Sequence, residues 1–340
     1  MNMGELRRRG GLQPAIARPA EAGPSRPHVL KRARMMDGVR HAARFAIAIV
    51  VTIFAITSLR GMDLPRDLAP SAVVSQAPKR IVSLVPAVTE MLFAAGAGNE
   101  VVGVSNFDKF PPEAATRPSV GALIDPDFER ILSLKPDLVI VYGSQTDLLA
   151  RLERAKIPVF NYRHAGLADI TVTLRNLGAR IGRGKESDAV AAGIERDIDA
   201  IRKRVAGRPR PKTALVFERE PGTLRSIYVS AGVGFMHDML EVAGGTDVFQ
   251  DVQRQSLQAS TEVFLARAPE VIIEAIATDG WTADRLARER QVWQALTSVP
   301  AVRSGRVYLI ADARLAIPGP RVAAAIALIA DVLHPKSTKP

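Results

Sequence analysis

The 340-residue sequence contains no cysteine, and it has only two tryptophans and five histidines. Without cysteine the chain forms no disulfide, iron–sulfur cluster or thiol nucleophile, and it carries no lipid on an N-terminal cysteine. His28, His41 and His334 lie near the chain ends, which leaves His164 and His237, one in each half. Two histidines are too few for a three-histidine zinc site. A side-chain site for a divalent metal is therefore the less favoured hypothesis.

Catalytic signatures are also absent. The sequence contains no G-x-S-x-G, H-E-x-x-H or G-x-x-x-x-G-K-[ST] motif. Gly96 and Gly98 follow a helical stretch rather than a strand, so they indicate a helix end and not a dinucleotide-binding turn. We therefore expect a protein that is not an enzyme, with an enzyme or a sensor on the same fold as the alternative.

The net charge of +11 is concentrated at the N-terminus. Residues 1–66 carry 12 basic and 4 acidic residues, a net charge of +8, whereas the remaining 34 basic and 31 acidic residues give only +3. No zinc-finger or basic-helix pattern accompanies the charge. We therefore expect no nucleic-acid partner.

An uncharged apolar run occupies residues 45–59, between Arg44 and Arg60. Fifteen residues are short for a membrane span of about 20 but suit the apolar core of a signal peptide. We read residues 1–44 as a basic, disordered leader and residues 60–78 as a proline-containing linker. The sequence thus predicts export to the periplasm, with an uncleaved membrane anchor at 45–59 as the alternative.

The most regular apolar periodicity lies at residues 185–207. Apolar residues recur there at steps of 4, 4, 3 and 4, which places them on one face of an α-helix. These residues are Val190, Ile194, Ile198, Ile201 and Val205. Ser187 and Asp188 are the predicted N-cap residues, and Gly207 is the predicted end. The pattern predicts a helix about 30 Å long that packs along one side.

The segments on either side of this helix resemble each other. Residues 129–141 read E-RILSLK-P-D-LVIV, and residues 262–274 read E-VFLARA-P-E-VIIE. MLFAAG at 91–96 and MLEVAG at 239–244 form a second matching pair. The repeat predicts an N-terminal lobe at 79–184, a linking helix at 185–207 and a C-terminal lobe at 208–335, with a cleft between the lobes.

Strand and helix patterns alternate along both lobes. The predicted strands are 81–84, 101–104, 138–141, 159–161, 214–217, 271–274 and 307–310. The predicted helices are about 89–96, 128–135, 146–155, 168–182, 234–243, 261–267, 283–297 and 319–333. This alternation predicts an α/β fold with parallel sheets covered on both faces. Ligands of such folds bind beyond the carboxyl ends of the strands.

Several of these segments carry a family resemblance. RIVSLVPAVTEMLFAAGAGNEVVGVSNFDKFPPEA at 80–114, the repeated segments, and PGPRVAAAIALIADVLHP at 318–335 resemble the substrate-binding proteins of ABC importers for cobalamin, haem and ferric siderophores. The resemblance is closest to cobalamin-binding members and covers nearly all of residues 79–335. It implies two Rossmann-like lobes joined by a rigid backbone helix, with the ligand cleft between them.

The resemblance also implies roles for particular residues. Glu129 and Glu262 match positions at which an acidic residue on each lobe docks onto basic residues of the permease; a helix-dipole role is the alternative. Phe107 and Tyr142 match aromatic positions that stack on a flat ligand. Leu123 stands where another aromatic residue would be, which departs from the cobalamin pattern.

Further candidates for the cleft follow from strand ends. Arg219 and Arg314 follow predicted strands and would offer cations to carboxylate or phosphate groups, and Trp281 could stack on a ligand. The full set of predicted ligand contacts is Pro86, Phe107, Tyr142, Arg219, Tyr228, Trp281 and Arg314. Trp293 is predicted to lie in the core, and Arg321 to form a structural ion pair.

These expectations define a function. The resemblance implies capture of a metal chelate, a corrinoid first and haem or a ferric siderophore second, and delivery to an ABC permease dimer in the inner membrane. We expect a monomer with no intrinsic cofactor. His164, which follows a predicted strand, is a weak candidate for an axial ligand to a haem or corrin metal.

Overall fold

The structure is a computed structural model that describes residues 77–277 and 280–335. The predicted leader at 1–44, the apolar segment at 45–59 and nearly all of the predicted linker lie outside the described residues. Within those two ranges no helix is both long enough and apolar enough to cross a membrane.

The first lobe is built on a four-stranded parallel sheet. Its strands are β1 (Ile81–Ser83), β2 (Val101–Val104), β3 (Leu138–Tyr142) and β4 (Val159–Tyr162), in the order β2-β1-β3-β4. Its helices are α1 (Pro86–Ala94), α2 (Pro112–Ala115), α3 (Phe128–Ser133), α4 (Thr146–Arg154) and α5 (Ala168–Ile181). All four predicted strands are present, and their pairing is parallel as the strand–helix alternation indicates.

Helix α6 (Gly184–Val205) links the two lobes. Its buried residues include Ile194, Ile198, Ile201 and Val205, so the predicted apolar stripe is confirmed. The predicted N-cap is wrong: Arg183 occupies the N-cap position, and Ser187 is a buried residue within the helix. A side chain at Gly178 of α5 would collide with the Ser187 side chain, so these two small residues allow α5 and α6 to approach closely.

The second lobe contains a six-stranded mixed sheet. Its strands are β5 (Lys212–Glu218), β6 (Ile227–Ser230), β7 (Thr246–Asp247), β8 (Ser256–Ala259), β9 (Val271–Ile276) and β10 (Val307–Ala311). Its helices are α7 (Phe235–Val242), α8 (Thr261–Arg267), α9 (Ala283–Val292), α10 (Pro300–Arg303) and α11 (Val322–Leu333). The order is β10-β9-β5-β6-β8, with β7 paired to β5, and β6 runs antiparallel to β5 and β8. The expectation of wholly parallel sheets is therefore wrong for β6 and its two neighbours.

The sequence repeat corresponds to a repeated structure. Helices α3 and α8 are each followed by a residue with positive φ, Lys135 and Ala268, and then by a proline. The next residue is acidic in both lobes: Asp137 accepts hydrogen bonds from the backbone N–H groups of Lys79 and Arg80, and Glu270 accepts one from Lys212. Each carboxylate thus fixes the chain that enters the central strand of its own sheet.

One hydrophobic cluster extends through both lobes. It includes Ile81 and Leu138 of the first sheet, Ile198 of α6, and Ile273 and Ile326 of the second lobe. Two polar contacts also join the lobes: Asp238 of α7 accepts a hydrogen bond from Leu167 N at 2.8 Å, and Arg321 pairs with Glu90 of α1. The Arg321 pair confirms the predicted structural ion pair. The lobes are therefore joined by packing as well as by the covalent chain.

Candidate functional site

The cleft edge of the first lobe carries two of the predicted aromatic residues. Phe107 lies in the loop after β2, and its side chain is among the large apolar groups left exposed, at 44%. Tyr142 is the last residue of β3 and is half-buried. Burial is the main cause that raises the pKa of Tyr142, and the Asp108 carboxylate adds to it. Because β2 and β3 both run parallel to β1, their carboxyl ends meet at one edge of the sheet. These two aromatic residues therefore lie on the same edge of the sheet.

A row of rings runs from Tyr142 into the second lobe. The Tyr142 and Tyr162 ring centroids lie 5.4 Å apart, Tyr162 stacks on His164 at 6.1 Å, and His164 meets Phe235 of α7 edge-on at 5.4 Å. Such edge and offset arrangements favour aromatic packing. Because Tyr142 packs against Tyr162 and the main core, truncating it would disturb the apo fold as well as the cleft.

Burial lowers the pKa of His164 to about 4, although Asp169 opposes the shift. The imidazole is therefore neutral at neutral pH. A neutral imidazole is the form that binds metals, but His164 is packed between Tyr162 and Phe235 at the junction of the lobes. Its proposed role as an axial ligand stays a prediction.

The second lobe presents a further aromatic pair and a carboxylate at the end of β5. Glu218, the last residue of β5, pairs in register with Tyr228 of β6 across a bulge after Val216. The ring centroids of Phe217 and Tyr228 lie 6.4 Å apart. Burial raises the pKa of the Glu218 carboxyl, and its Oε2 atom is buried with no hydrogen-bond partner among the described residues. Glu218 stands in the charged run Glu218-Arg219-Glu220, and nothing local in the sequence distinguishes it as a buried group.

Arg219 is not the exposed cation that the sequence predicts. Its side chain is only 2% exposed, and its guanidinium lies 3.0 Å from a carboxylate oxygen of Glu274 and 2.8 Å from one of Glu289. Glu274 also accepts a hydrogen bond from the indole N–H of Trp293 at 3.0 Å. Trp293 is fully buried, so its predicted core position is confirmed. Arg219 thus holds β5, β9 and α9 together.

The other predicted contacts have mixed surroundings. Arg314 pairs with Asp312 through its Nη2 at 2.5 Å, so its charge is already compensated, and the guanidinium holds the pKa of Asp312 below its usual range. Trp281 is half-buried on the second lobe's core, with the Arg285 guanidinium 3.9 Å from its ring centroid. Pro86 begins α1 soon after β1.

The two predicted docking residues occupy equivalent exposed positions. Glu129 is the second residue of α3, and Glu262 is the second residue of α8. The Glu129 carboxylate lies 3.7 Å from Arg151, and a hydrogen bond from Ser260 lowers the pKa of Glu262. The Glu129 pair contributes little because both side chains are solvated.

Two further features bear on ligand chemistry. No group of three or more His, Asp or Glu side chains within 77–277 and 280–335 is arranged to hold a metal ion. A cavity of about 590 Å³ opens between α1, the segment before α2 and Arg321. None of the seven predicted ligand contacts lines it.

We predict that Arg219→Met lowers the free energy of unfolding by about 3–5 kcal/mol, since it leaves Glu274 and Glu289 buried without their cation. Urea unfolding followed by circular dichroism measures this loss. The matched control is Arg225→Met, an exposed arginine of the same loop, which should stay within about 0.5 kcal/mol of wild type. A stable Arg219→Met protein would contradict the structural role.

We also predict that His164 makes the fold acid-sensitive. Its pKa of about 4 in the folded state lies below its usual value of about 6.5, so protonation favours the unfolded chain. Its contribution is complete above pH ~6.5 and is lost as the pH falls toward 4, by roughly 3 kcal/mol in total.

Urea unfolding at a series of pH values compares wild type with His164→Gln. The variant should lose most of the pH dependence in this window, whereas Arg163→Gln, at the neighbouring position, should retain it. Equal pH dependence in wild type and His164→Gln would show that His164 titrates normally.

Comparisons with known proteins agree with this geometry. A family model described as periplasmic binding protein matches residues 81–313. A vitamin B12-binding protein of Pectobacterium carotovorum is 28% identical over 229 residues, covering 66% of this chain and 79% of the relative. The uncharacterized ABC transporter substrate-binding lipoprotein YvrC of Bacillus subtilis is 28% identical over 272 residues, covering 78% and 83%.

A solved structure extends the similarity to the fold. The periplasmic haem-binding protein RhuT of Roseiflexus sp. RS-1, in its apo form, matches with a TM-score of 0.65 and 26% identity, covering 75% of this chain and 98% of that one. These relatives are binding proteins rather than enzymes, and the two-lobed α/β architecture is theirs as well. The chain belongs to the periplasmic binding protein family.

Proposed function

We propose that this protein is the substrate-binding component of an ABC importer and that it captures a metal chelate between its lobes. Corrinoids are the first candidates, because a curated relative is a vitamin B12-binding protein; haem and ferric siderophores come second, since a structural relative binds haem. The chelate is cargo, and the protein needs no intrinsic cofactor. The observation that carries the proposal is the presence of aromatic residues at the cleft edges of both sheets.

The physical basis is burial of a flat ligand between two apolar walls. In the first lobe Phe107 follows β2 and Tyr142 ends β3, and in the second lobe Phe217 lies near the end of β5 beside Tyr228 near the start of β6. Ring stacking adds about 0.5–1.5 kcal/mol per pair beyond area burial. A ligand that touches both walls also gains from the packing that already joins the lobes, because less motion remains to be frozen on binding.

We predict that Phe107→Ala weakens binding of cyanocobalamin several-fold while the melting temperature of the apo protein stays near wild type. The ring is 44% exposed in the apo protein, so its loss costs little packing, whereas the stack with the ligand disappears. Isothermal titration calorimetry and thermal denaturation measure the two quantities.

The control is Val172→Ala, which removes an exposed apolar group from α5, outside the cleft. It should leave affinity unchanged. Protein purified from its native host also reports its chelate directly, because corrinoids, haem and ferric siderophores have distinct absorption spectra. Wild-type protein that binds none of the three would contradict the proposed function. A Phe107→Ala protein that binds cyanocobalamin as tightly as wild type would show that Phe107 does not contact the ligand.

Delivery to the permease is proposed to depend on Glu129 and Glu262. Both begin short helices at equivalent places in the two lobes, and both are exposed. A permease dimer offers basic residues from each of two subunits, so a pair of acidic residues spaced across both lobes fixes orientation as well as contact. Export by the N-terminal segment would place the protein in the periplasm, where this partner is accessible.

We predict that combined charge reversal, Glu129→Arg with Glu262→Arg, abolishes uptake in cells but leaves ligand affinity of the isolated protein within about twofold, because the two charges lie outside the cleft. Radiolabelled cobalamin uptake and calorimetry provide the measurements. Glu153→Arg with Asp284→Arg reverses one exposed acidic residue in each lobe, on α4 and α9 and away from α3 and α8, and it should support normal uptake. Unchanged uptake in the first double variant would leave Glu129 and Glu262 as helix-dipole residues.

A further inference from the structure

Basic side chains gather at the amino edge of the first sheet, opposite to the edge at which β3 ends in Tyr142. Strands β1, β3 and β4 are neighbours and run parallel, so the residues that precede them meet at one edge. The Nε atom of Arg80 accordingly lies 2.9 Å from the carbonyl oxygen of Leu134 and 3.2 Å from that of Lys135. Five exposed basic residues form what we call the basic edge: Lys79, Arg80, Lys135, Arg154 and Lys156.

The fold leaves the charge of the basic edge uncompensated. Two carboxylates lie within this edge: Asp137, which accepts two backbone N–H groups at 2.8 Å, and Glu153, which is exposed on α4. Beside it Arg183 pairs with Glu100, which is neutral overall. Among the described residues, no carboxylate forms an ion pair with a side chain of the basic edge. Five cations against two carboxylates make this edge positive.

The fold does not require lysines at these places. Lys135 and Lys156 have φ values of 48° and 56°, a left-handed conformation that suits glycine or asparagine better than lysine. In the second lobe Ala268 stands where Lys135 stands in the first, with the same φ of 48° and no charge. A cation at a helix C-terminus stabilises the helix slightly, but the Arg80 guanidinium already contacts the last carbonyl groups of α3. The charge is therefore available to a partner.

A bilayer that contains anionic phospholipid is the partner whose chemistry fits this edge. Each lysine or arginine held near such a surface raises binding by about fivefold, so five together give a factor on the order of a thousand. The chain also enters the fold here, since the described residues begin at Ala77, shortly before Lys79. The uncharged apolar run at 45–59 precedes this point, and residues 60–76 between them reach at most about 60 Å. Nothing in the chain brings a nucleic acid or an acidic protein to this edge in the same way.

We propose that the basic edge of the first lobe binds anionic phospholipid headgroups and orients the protein on the membrane surface. The cleft residue Tyr142 lies at the other edge of the sheet, so this contact leaves the cleft open to solvent. Attraction between exposed charges is screened by salt, so the contact is reversible and lets the protein leave the surface for its permease. The inference goes beyond the proposed function and is independent of which chelate is captured.

The absence of cysteine allows a single label to report the contact. Ala155 is exposed between two residues of the basic edge, and Ala155→Cys carries an uncharged fluorophore there. The protein is purified from its host, so that its N-terminal processing is native. It is then mixed with vesicles that contain a quencher lipid in phosphatidylcholine, with or without phosphatidylglycerol. We expect at least about threefold more quenching with phosphatidylglycerol, falling to the neutral-vesicle level in about 0.5 M salt.

Charge reversal tests whether the basic edge causes the quenching. Lys79→Glu with Lys156→Glu should weaken binding to the anionic vesicles at least about twentyfold and bring quenching down to the neutral-vesicle level. The matched control is Arg196→Glu with Lys203→Glu, which changes the net charge equally at exposed positions of α6 and should keep the quenching. A label at Ala283→Cys, exposed at the start of α9 in the second lobe, should show little quenching.

Three results would overturn the inference. Equal quenching by anionic and neutral vesicles would do so without any charge reversal, so the decision does not depend on how the double variants fold. Equal loss in both double variants would show that net charge, and not the basic edge, brings the protein to the surface. Equal quenching at Ala155→Cys and Ala283→Cys would show adsorption without orientation. Chelate binding is measured separately by calorimetry, so failure here leaves the proposed function standing.

Discussion

The apolar stripe of α6 is the constraint on which the rest of the molecule depends. One row of side chains, from Ala191 to Val205, packs against α5 and α1 of the first lobe and against α11 and α7 of the second. Each fully buried isoleucine or valine in such a row contributes about 1.5–3 kcal/mol. Because both lobes use the same stripe, sliding one lobe past the other would expose apolar surface in both. The cleft is therefore held close to one geometry before a ligand arrives.

Charge neutralisation is the second organising feature, and it shapes the cleft. Arg219, Arg314 and Arg321 each form an ion pair with at least one carboxylate, so the charge of each arginine is compensated within the fold. Glu90 shows how strongly burial acts there, because its pKa is raised even though Arg321 lies against it. Breaking such a pair would leave an uncompensated buried charge.

The sequence predicts the framework well because its signals are local. Strands β1 to β4 and the face of α6 follow from runs and spacings within a few residues, and the structure matches them. The antiparallel strands β6 and β8 were missed because each is only four residues long and neither alternates with a helix. The burial of Arg219 depends on Glu274 and Glu289, which lie far along the chain and approach only after β5 and β9 pair. Long-range partners of this kind leave no local pattern.

Glu129 and Glu262 each lie in the first turn of a helix that the two lobes repeat. Both lobes repeat a helix, a positive-φ residue, a proline and an acidic residue, and this repeat alone places Glu129 and Glu262 at equivalent positions. Their equivalence is therefore not evidence that a partner binds them. The helix starts, however, are already satisfied: Asp127 accepts from the backbone N–H of Arg130, and Ser260 accepts from that of Val263. A second carboxylate in the first turn stabilises the helix only slightly through the helix dipole, because salt screens this interaction at an exposed site. The fold therefore requires Asp127 and Ser260 more than it requires either glutamate, and the glutamates remain available to a partner at the surface.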